Sequence, residues 1–340
     1  MKTNTLNKVP RVRNRIGMTL IEIVVVISII AILAGMLIPV IGAVRRRGQV
    51  TATVLEIQNL KNAIEQYKQK FGDYPPDGSN SLVLERHIRI AFPRIHTTEI
   101  KFLRTELGID LDSNNNVIPK NTGLDPAEAL VFFLGGFSDD PRYPFQGKGG
   151  PANLNRNPGL FDFDPNRLTD DGDGFAVYHP RGSDVPFVYF DSRTYMPRRI
   201  YGNANGNAPA AQYPLAVTSN DNGVARPYRS DQPRQVLFDN QGNVIEDGYE
   251  YKWVNSNTFQ IIAAGTTNHY GNDLINCKHG HVIERARYCP ICDHDPPQPI
   301  PNWKNRPYFF HHYNSGGYYS EGDNSNITSF SRGTLEDDIP

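Results

Sequence analysis

The sequence predicts an α+β fold, with one long amino-terminal helix that is apolar in its first half and amphipathic in its second, followed by a strand-bearing body with long loops. Three observations predict it. From Ile23 to Val44 the chain runs 22 residues without a charge. From Val50 to Phe71 apolar residues recur every three or four positions. The β-branched and aromatic runs that read as strands all come later in the chain.

The 340 residues can bury a substantial core, and 29 glycines, 26 prolines, 17 phenylalanines and 17 tyrosines point to a loop-rich, aromatic-packed body. Charge is nearly balanced at 35 basic against 36 acidic residues. Lys2, Lys8, Arg11, Arg13 and Arg15 crowd the first 17 positions, and losing those five cations takes the formal charge from -1 to -6. A mildly acidic body has no broad basic face for phosphate, so no nucleic-acid partner is expected.

As a helix, the uncharged run rises about 33 Å, close to a bilayer's hydrocarbon thickness. It is too long for the apolar core of a cleaved secretory signal, and no A-x-A site follows it. Glu22 stands at its mouth. An ionised carboxylate facing lipid costs a few kcal/mol unless it is paired or stays near the interface, so Glu22 needs a partner. A cut after Gly17 would give Met18 a free ammonium one helical turn away, where the helix dipole also favours an anion. Pro39 lacks an N–H, frees the carbonyl of Gly35 and should kink or loosen the helix. The five leader cations hold the amino terminus in the cytoplasm, against the opposing run Arg45, Arg46 and Arg47, whose position suits lipid headgroups.

Gly17 followed by MTLIEIVVVISIIAIL resembles the class III signal of type IV prepilins and type II secretion pseudopilins. The resemblance implies a prepilin peptidase cutting after Gly17, N-methylation of Met18, and an assembly role for Glu22. Phenylalanine is the commoner first mature residue, so Met18 departs from the usual choice. Pro39 matches a helix-breaking proline that the family often carries. The domains then read as a leader (1–17), a transmembrane and assembly half of helix 1 (18–44), an amphipathic half (45–72) and an extracytoplasmic body (73–340). The implied partners are the peptidase, identical and related pilin-like subunits, and an inner-membrane assembly platform. The implied location is the bacterial inner membrane, single-pass with the amino terminus cytoplasmic, and then a filament.

The amphipathic half should stop at Gly72, with Pro75 and Pro76 just beyond. The stretch FGDYPPDG is similar to the G-x-Y-P segment that ends the first helix of pseudopilins. Asp125, Pro126 and Glu128 supply an N-cap, a first-turn proline and a capping-box acid, predicting a helix over 126–134 ended at Gly135. Residues 186–195, 234–239 with 244–247, and 258–265 read as strands and a hairpin. In pilin-like proteins such strands form the antiparallel sheet on which the first helix packs. The Gly-, Pro-, Asn- and Asp-rich stretches 139–170 and 202–235 read as loops.

Cys277, His281, Cys289 and Cys292 have the ligand types and spacing of a zinc ribbon within 277–294. Four protein ligands make such a Zn(II) site structural. A disulfide between two of the three cysteines is the other reading, and it leaves one thiol over. Asp162, Asp164, Asn166, Asp170 and Asp173 fall at positions 1, 3, 5, 9 and 12 of a calcium loop, but Arg167 replaces the turn glycine and Asp173 the long glutamate. Candidate Ca(II) ligands are Asp170, Asp171 and Asp173, with Asp337 and Asp338 in the closing GTLEDDI, which is similar to the acidic ending of major pseudopilins. A solvated acidic turn is the other reading at both places. No nucleophile elbow, phosphate loop or dinucleotide fingerprint occurs, and the chain is expected to be a structural subunit rather than an enzyme. A low-copy tip, or a signal-anchored zinc-ribbon binding protein, is the alternative.

Overall fold

A computed structural model describes residues 19–118, 122–152, 156–170, 174–195, 216–217, 224–225, 227–238, 244–271, 274–276, 282–284, 312–313 and 325–338. The chain divides into two compact units, Met1–Gly48 and Gln49–Pro340. Helix α1 covers Leu20–Phe71, 52 residues. In the second unit its apolar stripe is buried: Ile57, Leu60, Ile64 and Tyr67 all have 0% exposure, while Gln58, Asn59, Glu65 and Gln66 on the other face are exposed. Each aliphatic side chain buried in this way contributes about 1.5–3 kcal/mol. As expected, the helix ends at Gly72, which takes φ +85° and donates its N–H to the Lys68 carbonyl at 2.8 Å.

Two helices follow that the sequence reading does not contain. Asn80 caps α2 (Ser81–Ala91) by accepting from the N–H groups of Leu82 and Val83. His96 caps α3 (Thr97–Glu106). Helix α4 covers Ala129–Leu134 and starts three residues later than 126–134 implies, because the cap groups form a turn first. Asp125 accepts from Ala127 and Glu128, and Glu128 accepts back from the Asp125 N–H at 2.7 Å.

The strands in chain order are β1 (Leu168–Asp170), β2 (Ala176–Tyr178), β3 (Val188–Asp191), β4 (Ala216–Val217), β5 (Val224–Ala225), β6 (Arg229–Phe238), β7 (Val244–Trp253), β8 (Phe259–Ala263), β9 (Leu274–Asn276), β10 (Val282–Glu284), β11 (His312–Tyr313) and β12 (Ile327–Thr328). The expected strands at 186–195 and 258–265 are β3 and β8, which pair antiparallel with β12 on the other side of β8. The expected hairpin is β6 and β7, but β6 begins at Arg229, inside the stretch 202–235 read as loop. Pro233 has no N–H for the ladder, and the pairing shifts register around it rather than ending. Every residue of β8 is buried, and the two faces meet different clusters. Tyr189, Ile261 and Ala263 join the α1 stripe in one cluster, whereas Val188, Phe190 and Ile262 join Tyr228, Trp253 and Leu335 of the closing helix α5 (Leu335–Asp338) in another. The long helix therefore packs on one face of the antiparallel sheet β12-β8-β3, as the α+β expectation requires.

A charged clasp fixes the turn after α1 to the end of β3. Arg193 contacts Asp191 at 2.6 Å and Asp73 at 2.6 Å, and donates to the Tyr74 carbonyl at 2.7 Å. Fully buried Asp77 accepts from the Asp191 N–H at 3.0 Å, from Thr194 Oγ1, and from the N–H and hydroxyl of Ser79. Burial pushes Asp191 up to about 7, against the pull of Arg193, and pushes Asp77 up as well. A second tie links Arg167 to Glu56 of α1, with the guanidinium 4.4 Å over the Tyr178 ring.

Candidate assembly and anchoring site

The first half of α1 has the composition of a core and the exposure of a surface. From Leu20 to Val44 its large aliphatic side chains are exposed, Val24 by 46% and Leu20 by 85%. Exposed apolar side chains on this scale mark a surface that another apolar phase covers. Among the described residues, α1 is the helix long and apolar enough to cross a membrane. It runs through position 39 without a break; the side chain of Pro39 lies outside the described residues.

Glu22 does more than await a partner. The Thr19 N–H donates to Glu22 Oε2 at 2.7 Å, the Thr19 hydroxyl donates to the same oxygen at 2.9 Å, and the Glu22 N–H returns a bond to Thr19 Oγ1 at 3.3 Å. This is a capping box, and Thr19 is the member of it that the sequence reading missed. Its signal is T-x-x-E, with the glutamate three residues after the threonine and an apolar run following. The box starts the helix one residue after Thr19 and holds the carboxylate at the amino-terminal end of α1, where the dipole favours it. Both Thr19 bonds fall on Oε2, so the box leaves Oε1 to a further donor.

The processing residues Gly17 and Met18 lie outside the described residues. So do the proposed zinc ligands Cys277, His281, Cys289 and Cys292, of which Cys277 and His281 fall between β9 and β10 in the chain. Asp171, Asp173 and the side chain of Asp338 also lie outside them. Among the described residues no three His, Cys, Asp or Glu side chains gather where they could hold a metal. Asp170 Oδ1, at the end of β1, accepts the Gly174 N–H at 3.2 Å. Arg167, at the calcium loop's glycine position, is committed to Glu56 of α1. Asp337 Oδ2 accepts from the Thr334 hydroxyl at 2.7 Å and from its N–H at 3.2 Å, the capping box of α5. In the described residues these carboxylates serve local backbone structure.

The family described as "Prokaryotic N-terminal methylation motif" matches residues 12–38, the stretch that contains Thr19, Glu22 and the start of the exposed apolar helix. The chain is also similar to the type IV major pilin protein PilE of Neisseria gonorrhoeae, at 33% identity over 78 residues. That match covers 23% of this chain and 42% of the pilin, so the chain spans less than half the length of this relative. No solved structure matches. The methylation motif thus lies at the mouth of the exposed apolar helix, and the chain is similar over 78 residues to a type IV pilin, with its long helix packed on an antiparallel sheet.

Proposed function

We propose that the protein is a structural subunit of a type II secretion pseudopilus or type IV pilus-like filament, cleaved by a prepilin peptidase after Gly17 and N-methylated at Met18. The observation that carries this reading is the contrast within α1, whose body half is buried by its own sheet while its first half exposes every large aliphatic side chain. The bilayer covers that half before assembly, and the helices of neighbouring subunits cover it afterwards. In the filament, Glu22 Oε1 accepts the methylated ammonium of a neighbour while Oε2 stays in the Thr19 box. The amino terminus is cytoplasmic and the body extracytoplasmic, and an inner-membrane platform adds subunits to the filament.

Glu22→Ala tests the pairing: leader cleavage continues, measured by mass spectrometry of the mature amino terminus, while the variant fails to enter sheared filaments. Filaments at the unsubstituted yield would refute the role of Glu22. The large body, residues 73–340, favours a second reading as a low-copy tip subunit, which counting copies per filament separates from a major subunit. Cys277, His281, Cys289 and Cys292 are chemically suited to one structural Zn(II), and metal analysis of the purified chain decides between zinc and a disulfide. Calcium at Asp170, Asp171 and Asp173, or at Asp337 and Asp338, is tested by the same measurement.

A further inference from the structure

The body is acidic in sum, yet α2 and α3 carry a basic face. Glu85 sits between two arginines, 2.6 Å from Arg89 of its own helix and 2.5 Å from Arg104 of α3, and so joins the two helices side by side. Arg86 lies three residues before Arg89, and Lys101 three residues before Arg104, so each is a surface neighbour of its partner along the helix. Arg86, Arg89 and Lys101 are exposed. Arg89 and Arg104 share the Glu85 carboxylate, and Arg86 and Lys101 add two exposed cations next to them along the helices. The other acids of α3 point elsewhere: Glu99 is buried against the backbone of Phe145 and Gln146, and Glu106 lines a cavity beside Phe102 and Phe132. Exposed Ile90 adds an apolar contact beside the arginines.

A complementary face exists on the same chain. Around the β1–β2 hairpin, Asp162, Asp170 and Asp184 are exposed, and the Asp164 side chain is 42% exposed. Arg167 is shared between Glu56 and Asp164, 3.7 Å from the latter, and Arg181 is a further cation acting on Asp164. Among the described residues, one face has an excess of about three positive charges and the other an excess of about three negative charges.

We propose that the basic α2–α3 face is the docking surface for a second copy of this chain, received on that copy's acidic β1–β2 hairpin. The inference rests on the filament reading. Unlike patches on different elements make a heterologous contact, and a heterologous contact propagates instead of closing on itself as a two-fold dimer does. The central Glu85 argues for a carboxylate-bearing protein surface with its own interspersed cation, rather than for a continuous line of phosphates. Such complementary charge also fixes register and rejects wrong partners.

The test uses the full chain in a host that assembles it. Arg86→Glu with Lys101→Glu should lower the yield of sheared filaments about tenfold at low salt, since like charges brought together at an interface cost the equivalent of a decade or more in affinity. Adding Asp162→Lys with Asp184→Lys should bring the yield back to within about twofold of the unsubstituted chain, because the pairing is then inverted rather than broken. Thermal melting in detergent checks folding. If the first pair of substitutions lowers the melting temperature, the second pair alone carries the same test. An unchanged yield, or no recovery in the swapped chain, overturns the proposal alone. So does loss of binding to anionic phospholipid vesicles with filament yield intact, which makes the patch a membrane contact. An unsubstituted chain that forms no filaments overturns the filament reading along with it.

Discussion

The two halves of α1 carry similar aliphatic side chains and meet opposite fates. Ile57, Leu60 and Ile64 are wholly buried, whereas Ile23, Ile27 and Ile30 are about half exposed. The difference lies in the spacing of polar residues. After Arg47 the chain alternates faces, so one stripe can pack on a sheet while the other meets water. Before Val44 there is no polar face to alternate with, so no single body could bury the helix and leave it soluble. Composition thus assigns each half its solvent, and the body supplies only one of them.

Paired substitutions break or sharpen that contrast. Ile64→Ala should cost the body about 2–5 kcal/mol, seen as a lowered melting temperature of the full chain in detergent, because it leaves a cavity between α1 and the sheet. Ile30→Ala should change the same melt by less than about 0.5 kcal/mol. Equal effects would mean that the first half is packed by the body after all. Arg193→Ala comes next, at about 3 kcal/mol, the low end for a broken buried pair because the arginine side chain is 30% exposed. It strands Asp191 beside Asp77 and loosens the turn that ends α1, and the melt should show the loss with leader cleavage unchanged.

A further contrast is a pH slope confined to the body half. Asp191, raised by burial to about 7, binds a proton in the fold that the unfolded chain has lost above the ordinary aspartate range, so its contribution to stability falls as pH rises from about 4 through about 7. His87 acts the other way. Burial lowers it to about 3, its Nε2 lies 2.8 Å from the Tyr67 hydroxyl, and stability falls as pH drops from about 6.5 towards 3. The two slopes oppose each other between about pH 4 and 6.5. Asp191→Asn should therefore tilt the profile toward a rise of stability with pH across that window, with the slope of the likewise raised Asp77 still opposing it. Melting temperatures in a pH series read the tilt, and a profile parallel to the unsubstituted chain would remove Asp191 as the titrating group.

The parts of the fold legible in the sequence are those set by local spacing. The α1 stripe, its end at Gly72, the Asp125 and Glu128 cap, and the apolar runs of β3 and β8 each occupy one short window. Helices α2 and α3 were not read, since each is about ten residues long and such short helices owe their stability to packing more than to propensity. The start of β6 was hidden by Pro233, which argues against a strand until β7 is there to bridge the shift. Glu56 and Arg167 stand 111 residues apart, and Asp73 and Arg193 stand 120 apart. No local pattern marks either pair. At the candidate assembly site, Glu22 announces itself because charge is rare in such a run, while Thr19 is ordinary in composition and shows itself through one hydrogen-bonded turn.

That turn has a consequence for transport within the sheet of lipid. A carboxylate travelling through hydrocarbon normally drags water with it or gives up its charge. Thr19 furnishes an amide and a hydroxyl that move wherever Glu22 moves, a fragment of solvent sewn into the backbone. In the proposed filament the subunit would keep these two donors on the one acid of its apolar half as it moved, and a neighbour's amine would meet the other oxygen.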